Sequence, residues 1–134
     1  MAPAAVRLGL LLPPSEGKAA GGDGPTWSAG LGRFPDLEAR RTALARKLAR
    51  ARGGNEKLLG VRGSHLATAR LANAALFTAP SLPAWQRYTG VVWNAFDVAS
   101  LPAAARRRAM ASVVIVSGLL GLAALDDPTQ IGRA

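Results

Sequence analysis

Ala109-Met110-Ala111-Ser112-Val113-Val114-Ile115-Val116-Ser117-Gly118-Leu119-Leu120-Gly121-Leu122-Ala123-Ala124-Leu125 carries no charge and follows Arg106, Arg107 and Arg108. Its 17 residues stand at the short limit for a membrane-spanning helix, and the preceding arginines suit the positive-inside pattern. The β-branched run Val113 to Val116, closed by Ser117-Gly118, reads instead as a buried strand followed by a turn. That choice sets a layered fold against a membrane anchor, and no membrane is expected as a partner. Val6 to Leu12 is a second apolar run, stopped by Pro13-Pro14 because proline cannot donate to a strand ladder. Five apolar residues from Leu8 are too few for a signal-peptide core. Two core strands separated by helices give an α/β layer, with α+β the alternative.

The composition fits a helix-rich domain. Of 134 residues, 49% are apolar and only 5% aromatic. Many are Ala and Leu, which lose little entropy in a helix. The length allows one domain. Seventeen basic against eight acidic residues give a net charge of +9. Such a balance suits a polyanion, nucleic acid or an anionic surface. A GC-rich genome writes the same Arg, Ala, Gly and Pro by codon bias alone. There is no Cys and one His, which excludes disulfides, thiol catalysis and a Cys-type or multi-histidine metal site. No metal and no cofactor are expected.

Pro35 to Arg52 is the clearest helix. Pro35 sits at a permitted first-turn position, Asp36 and Glu38 face the positive end, and Gly53-Gly54 closes the other. Leu37, Leu44, Leu48 and Ala51 form its inward stripe, with Arg40, Arg41, Lys47 and Arg50 as a solvated basic face. Asn55 to Leu59 is a short helical piece and Ser64 to Phe77 a second helix, with Leu66, Ala69, Leu71 or Ala72, and Leu76 inward. Arg87 to Trp93 is a strand or a turn into a helix, and Leu101 to Met110 a helix opened by Pro102. Residues 19–32 form a flexible glycine-rich loop, with Trp27 held on the core.

Gly60-Val61-Arg62-Gly63 joins the two middle helices. A helix-hairpin-helix motif places glycines in its turn so that backbone N–H groups approach a phosphate, and the next helix adds its dipole. Leu58 to Gly63 imitates the apolar–Gly–apolar–Gly order with one extra residue, and Lys57, Arg62 and Arg70 lie near in sequence. A plain glycine turn between helices has the same composition. Ser15-Glu16-Gly17-Lys18 follows a strand as phosphate loops do, without the P-loop ending. It is a surface turn or a small anion site. Glu16 has no second carboxylate near it for acid/base work. Arg87-Tyr88-Thr89-Gly90 offers a planar cation, a phenol and a hydroxyl that suit a phosphate, although Tyr88 serves equally as a core aromatic. His65 reads as a surface or capping residue, and no catalytic triad can be assembled.

Four stretches in order are similar to one family. They are Leu11-Leu12-Pro13-Pro14-Ser15-Glu16-Gly17-Lys18, Leu58-Leu59-Gly60-Val61 with Ala72-Asn73 downstream, Arg87-Tyr88-Thr89-Gly90-Val91-Val92, and Val116-Ser117-Gly118-Leu119-Leu120-Gly121. Together they resemble the actinobacterial branch of the YaaA family (UPF0246, DUF328). The resemblance implies a cytoplasmic protein that helps cells survive peroxide by limiting free iron and oxidative damage to DNA. It implies an unusual α/β fold with a basic cleft and a hairpin, Leu58 to Ala75 here, that binds double-stranded DNA without sequence preference. Lys18, Lys57, Arg62, Arg70 and Arg87 are the candidate DNA- or phosphate-binding residues, chosen by charge and position. No catalytic residue is carried over.

The departures are in length and in the tail. Family members run to about twice this length. Leu120 stands where they carry an aromatic, and Ala123 to Pro128 replaces an Arg-Pro-x-Asp stretch. The chain therefore reads as a single truncated YaaA-like domain over 1–134 with a divergent tail over 122–134. Exposed apolar surface is expected near Val113 to Leu125, with low stability as a monomer. The expected function is a DNA-associated peroxide-stress protein rather than a recognisable enzyme. The alternative is an enzyme or binding domain for a nucleotide or other phosphorylated small molecule. In it Ser15, Glu16, Tyr88 and Thr89 form a pocket, with Lys18 and Arg87 across one cleft. A third reading is a fragment without activity.

Overall fold

The computed structural model describes residues 8–15 and 17–132 of the chain. Val113–Ser117 is the central strand, β3, of a three-stranded sheet, with β1 (Leu10–Leu12) on one side and β4 (Gly121–Ala124) on the other. The segment that could have spanned a membrane is therefore the end of a helix, a strand, a turn and a returning strand. Among the described residues no helix is long and apolar enough to cross a membrane.

β1 runs parallel to β3, with Leu10 opposite Val113 and Leu12 opposite Ile115. A parallel pair needs a long crossover, and every helix of the described chain lies between these two strands. They are α1 (Glu38–Arg50), α2 (Glu56–Leu59), α3 (Gly63–Ala74), α4 (Ala84–Arg87), α5 (Val91–Phe96) and α6 (Ala103–Ser112). β4 pairs antiparallel to β3, with Ile115 opposite Ala123 and Val116 opposite Leu122. A two-stranded ribbon of β2 (Leu82–Pro83) and β5 (Pro128–Thr129) completes the architecture. The fold is mixed α/β, and the two strands expected from sequence are direct neighbours.

Two apolar clusters hold it together. The larger gathers Trp27, Tyr88, Trp93, Ile115 and Leu125 against the sheet. The smaller packs Ala45 and Leu48 of α1 against Ala69 of α3, with Leu59, Leu76 and Leu119. Each fully buried Leu or Ile contributes about 1.5–3 kcal/mol. The expected apolar exposure between Val113 and Leu125 is not found. Val113, Ile115, Leu119, Leu120, Ala123, Ala124 and Leu125 are buried, and only Val116 stays half exposed. Exposure falls instead at Leu8 and, on β1, at Leu10 and Leu11, where among the described residues no strand pairs on the far side of β1. The tail residues 122–130 supply β4, β5 and buried Leu125, Thr129 and Gln130.

α1 is rotated from its expected orientation. Its buried residues are Arg41, Ala45 and Leu48, while Leu44 reaches solvent. Arg41 is thus no part of a solvated basic face. Its guanidinium donates to the carbonyls of Leu120 (2.7 Å), Ala29 (3.0 Å), Leu31 (3.2 Å) and Leu122 (2.7 Å). Leu120 lies in the turn before β4, Leu122 on β4 itself, and Ala29 and Leu31 in the 19–32 coil. Arg41 ties the coil to β4 and its turn. Burial lowers its pKa from the ordinary value, and Asp127 nearby works against that. In α3 the buried residues are Ala69 and Asn73, with Leu71 exposed and Leu76 buried just beyond the helix.

Candidate functional site

The first site candidate is the hairpin. α2 is capped by Asn55, whose side chain accepts from the Leu58 N–H at 2.9 Å. It stops at Gly60 in the left-handed region, and α3 starts at Gly63, also left-handed, with φ of 67° and 59°. Nothing lies within 4 Å of where a Cβ would sit on either glycine. The hairpin backbone therefore opens outward rather than packing on the protein. Lys57 and Arg62 are exposed beside it, and Arg62 lies 3.7 Å from Glu56 across the turn. Arg70 sits farther along α3, half-buried, with its Nε donating to the Arg52 carbonyl.

The second candidate is a cavity of about 310 Å³ at the carboxyl ends of the parallel strands β1 and β3. Ligands of open α/β sheets bind in such a crevice, where loops leave adjacent strand ends. Ser15 and Lys18 line it from the loop after β1, Ser117 from the end of β3 and Gly118 from the turn after it. Tyr88 forms a wall, because the Ser15–Lys18 and Tyr88–Gly90 loops are knitted together. Lys18 pairs with Tyr88 as a β-bridge, Ala19 N–H donates to the Arg87 carbonyl at 2.7 Å, and Thr89 N–H donates to the Gly17 carbonyl at 3.0 Å. A Cβ on Gly17 would meet the Thr89 hydroxyl at 2.6 Å, so a larger residue there would have to displace the Thr89 side chain.

Ser15, Lys18, Tyr88 and Thr89 thus come together as one neighbourhood. Arg87 does not join them at the cavity. Its backbone pairs with this loop, but its side chain is wholly buried and points away. The guanidinium donates to the carbonyls of Thr129 (3.2 Å), Ala19 (2.6 Å), Gly21 (2.8 Å) and Pro80 (3.1 Å). Burial lowers its pKa. Arg87 is therefore an internal clamp with no donor facing a surface. Glu16 lies outside the described residues. His65 is exposed and borders a neighbouring cavity that also touches Lys18.

Lys18 donates to the Gly132 carbonyl and stands 5.5 Å over the Tyr88 ring. Burial raises the Tyr88 pKa above the ordinary phenol value, and nearby Ser117 offsets part of the rise. The two hydroxyls do not meet in hydrogen-bond geometry, and the Tyr88 oxygen has no partner. Gln130, 2% exposed, also lines the cavity with its buried Oε1 unpartnered. Sequence reasoning missed Gln130 and Ser117 as site residues. Ser117 was legible as part of a strand-ending motif, whereas a lone amide in the tail gave no signal. Among the described residues no cluster of His, Asp or Glu could hold a metal.

All four stretches behind the family resemblance reach this one cavity, through Pro14, Ser15 and Lys18, through Leu59, through Tyr88, and through Ser117 to Leu119. The family of the peroxide stress protein YaaA matches the chain over residues 8–131. This chain belongs to the YaaA peroxide-stress family. Among similar proteins, a UPF0246 protein of Streptomyces coelicolor is 42% identical over 122 residues, covering 88% of this chain and 46% of its own. UPF0246 proteins of Corynebacterium glutamicum and Corynebacterium efficiens are 38% and 35% identical over 120 residues. They are covered to 47% and 46% of their length, against 89% and 88% of this chain. The chain thus spans about half the length of these YaaA-family relatives.

Proposed function

We propose that this YaaA-family chain binds the backbone of double-stranded DNA through the Gly60–Gly63 hairpin. It does so in the cytoplasm, within a peroxide-stress response that limits iron-dependent oxidative damage. The carrying observation is the pair of left-handed glycines with open space in place of side chains. A phosphate can press against such a backbone, and the first N–H groups of α3 with their dipole favour an anion there. Lys57 and Arg62 stand ready as flanking cations. Contacts of this kind position a duplex without reading its bases, so binding is expected to be indifferent to sequence. Membership of a peroxide-stress family supports the cellular role.

Fluorescence anisotropy with a labelled duplex at about 50 and 200 mM salt tests the reading. About three phosphate contacts predict a roughly 40-fold loss of affinity across that range. Arg62→Ala should reduce the logarithmic salt slope by about one. Affinity that does not change with salt removes the proposal.

A further inference from the structure

We propose that the groove between α6 and Arg33 is a binding site for a phosphate monoester attached to an apolar body. It shares no residue with the hairpin or with the cavity at the ends of β1 and β3. Three consecutive arginines, Arg106 to Arg108, precede the central strand. They suit the flank of a membrane helix, but among the described residues no helix is long and apolar enough to need one.

The helical repeat puts two of the three on one side. Ala103, Arg106, Arg107, Met110 and Ala111 follow the i, i+3, i+4, i+7, i+8 spacing that forms a single helix face. Such a face ordinarily packs on a core. Met110 does reach the larger apolar cluster, but no residue of α6 is fully buried, and Ala103, Arg107 and Ala111 are exposed. The face instead lines a groove of about 510 Å³, which Arg33 completes. That volume lies within the range of small-molecule sites, about 300–1,000 Å³.

The charges on the wall select the ligand, because they do not cancel. Arg33 donates through Nη2 to Asp126 at 3.0 Å and through Nη1 to the Met110 carbonyl, so its charge is matched. Arg106 donates only to neutral acceptors, the carbonyls of Ala99 (2.6 Å) and Leu101 (3.4 Å). Both bonds use one nitrogen, and its buried Nε has no acceptor. Arg107 is exposed, and neither ion pair among the described residues includes it. No carboxylate lines the groove among the described residues. Two guanidinium charges on adjacent residues therefore stand uncompensated. A phosphate monoester carries about −1.5 to −2 charges near pH 7, whereas a carboxylate or a phosphodiester carries a single one. Planar guanidinium forks also match phosphate oxygens in pairs. Ala103, Met110 and Ala111 leave apolar surface beside the two cations, and a methionine adapts its shape to what covers it. Arg106 is anchored before any ligand arrives, so less ordering entropy is lost on binding.

The test is a ¹H–¹⁵N titration of the whole chain with phenyl phosphate, methyl phenyl phosphate and a DNA duplex, each added separately. Phenyl phosphate should give saturable shifts at the amides of Ala103, Arg106, Arg107 and Ala111 and at the Arg106 Nε–H. The diester has the same apolar body with one charge fewer and should bind more weakly. Because the second phosphate ionisation lies near pH 6, phenyl phosphate should lose affinity about tenfold between about pH 7.5 and about pH 5. Arg107→Gln removes an exposed cation and should weaken binding by about tenfold. Ala103→Glu adds a carboxylate at an exposed position of the groove and should act in the same direction. The duplex is expected to move the Gly60 to Gly63 amides and leave α6 unmoved, and its failure to do so would remove the DNA reading without touching this one. Shifts on α6 that rise linearly with phenyl phosphate, that survive both variants, or that follow the duplex and not the monoester overturn the proposal.

Discussion

Arg87 and Arg62 have the same side chain and opposite surroundings. Arg87 is wholly enclosed and donates to four main-chain carbonyls. The Arg62 side chain is 88% exposed, with one distant carboxylate across the hairpin. Arg41 repeats the first pattern, binding four carbonyls of its own. The difference lies in what the neighbouring backbone lacks. The 19–32 coil and the turn at Leu120 lie outside the ladders, Leu122 sits on β4 at the side of the sheet that Arg41 covers, and buried carbonyls need donors. A guanidinium supplies five N–H groups in a fixed fork, so one arginine satisfies several at once. A basic composition in this chain therefore serves two ends, cross-linking of coil inside and attraction of polyanions outside. Among the described residues, Arg41 and Arg87 are the buried ones that serve the first.

The largest expected effect breaks the interior side of that contrast. Arg87→Met keeps much of the volume and leaves four carbonyls without their donor. At about 1–3 kcal/mol for each group that water cannot reach, a loss of at least ~3 kcal/mol is expected. That is a large part of the ~5–15 kcal/mol available to a typical domain. Arg87→Lys should recover only a fraction, because one ammonium cannot span four acceptors. Urea midpoints of the three proteins measure this. A Met variant as stable as the parent would show that the coil does not depend on the clamp.

The same contrast explains how far the sequence could be read. Val113 to Val116 was legible as a strand because β-branching and a following Ser-Gly are local signals, and Pro13-Pro14 marked the end of the other. Their parallel pairing was not, since it is settled by a crossover of about a hundred residues. The short helix from Asn55 to Leu59 and the Gly60–Gly63 turn were legible for the same local reason. Arg41 was misplaced because helix-period reasoning put it on a solvated face, and Arg87 because its charge beside Tyr88 and Thr89 suggested a phosphate contact; only the tertiary placement of main-chain carbonyls turns these two inward. For the cavity, Ser15, Lys18, Tyr88 and Thr89 stood out as motif residues, but nothing local says that they meet. Gln130 has no motif, and its role appears only once β5 places it below the sheet ends.

Outside, the expected effect on stability is much smaller. Lys57→Ala and Arg62→Ala should each change the unfolding free energy by no more than about 0.5 kcal/mol, since both are exposed and hold no buried group. The comparison sharpens if the same variants alter the salt slope of duplex binding while their urea midpoints stay put. A midpoint shift comparable to that of Arg87→Met would show that the hairpin cations carry structure and would dissolve the distinction.

Tyr88 supplies the subtlest test, at the boundary between the interior and the cavity. It is the sole tyrosine of the chain, so phenolate absorbance reports it alone. Burial raises its pKa in the folded state, while the unfolded chain keeps the ordinary value near 10. Between those two values the folded protein holds a proton that the unfolded chain has released. The unfolded state is then favoured as pH rises, so stability declines from about pH 10 upward and levels off only past the raised value. Tyr88→Phe should remove that part of the decline and leave the rest, which comes from lysines and arginines common to both proteins. Absorbance titrations of the folded and the urea-unfolded protein read this directly. A phenol that ionises at the ordinary value in the folded protein would mean that the Tyr88 hydroxyl is hydrated.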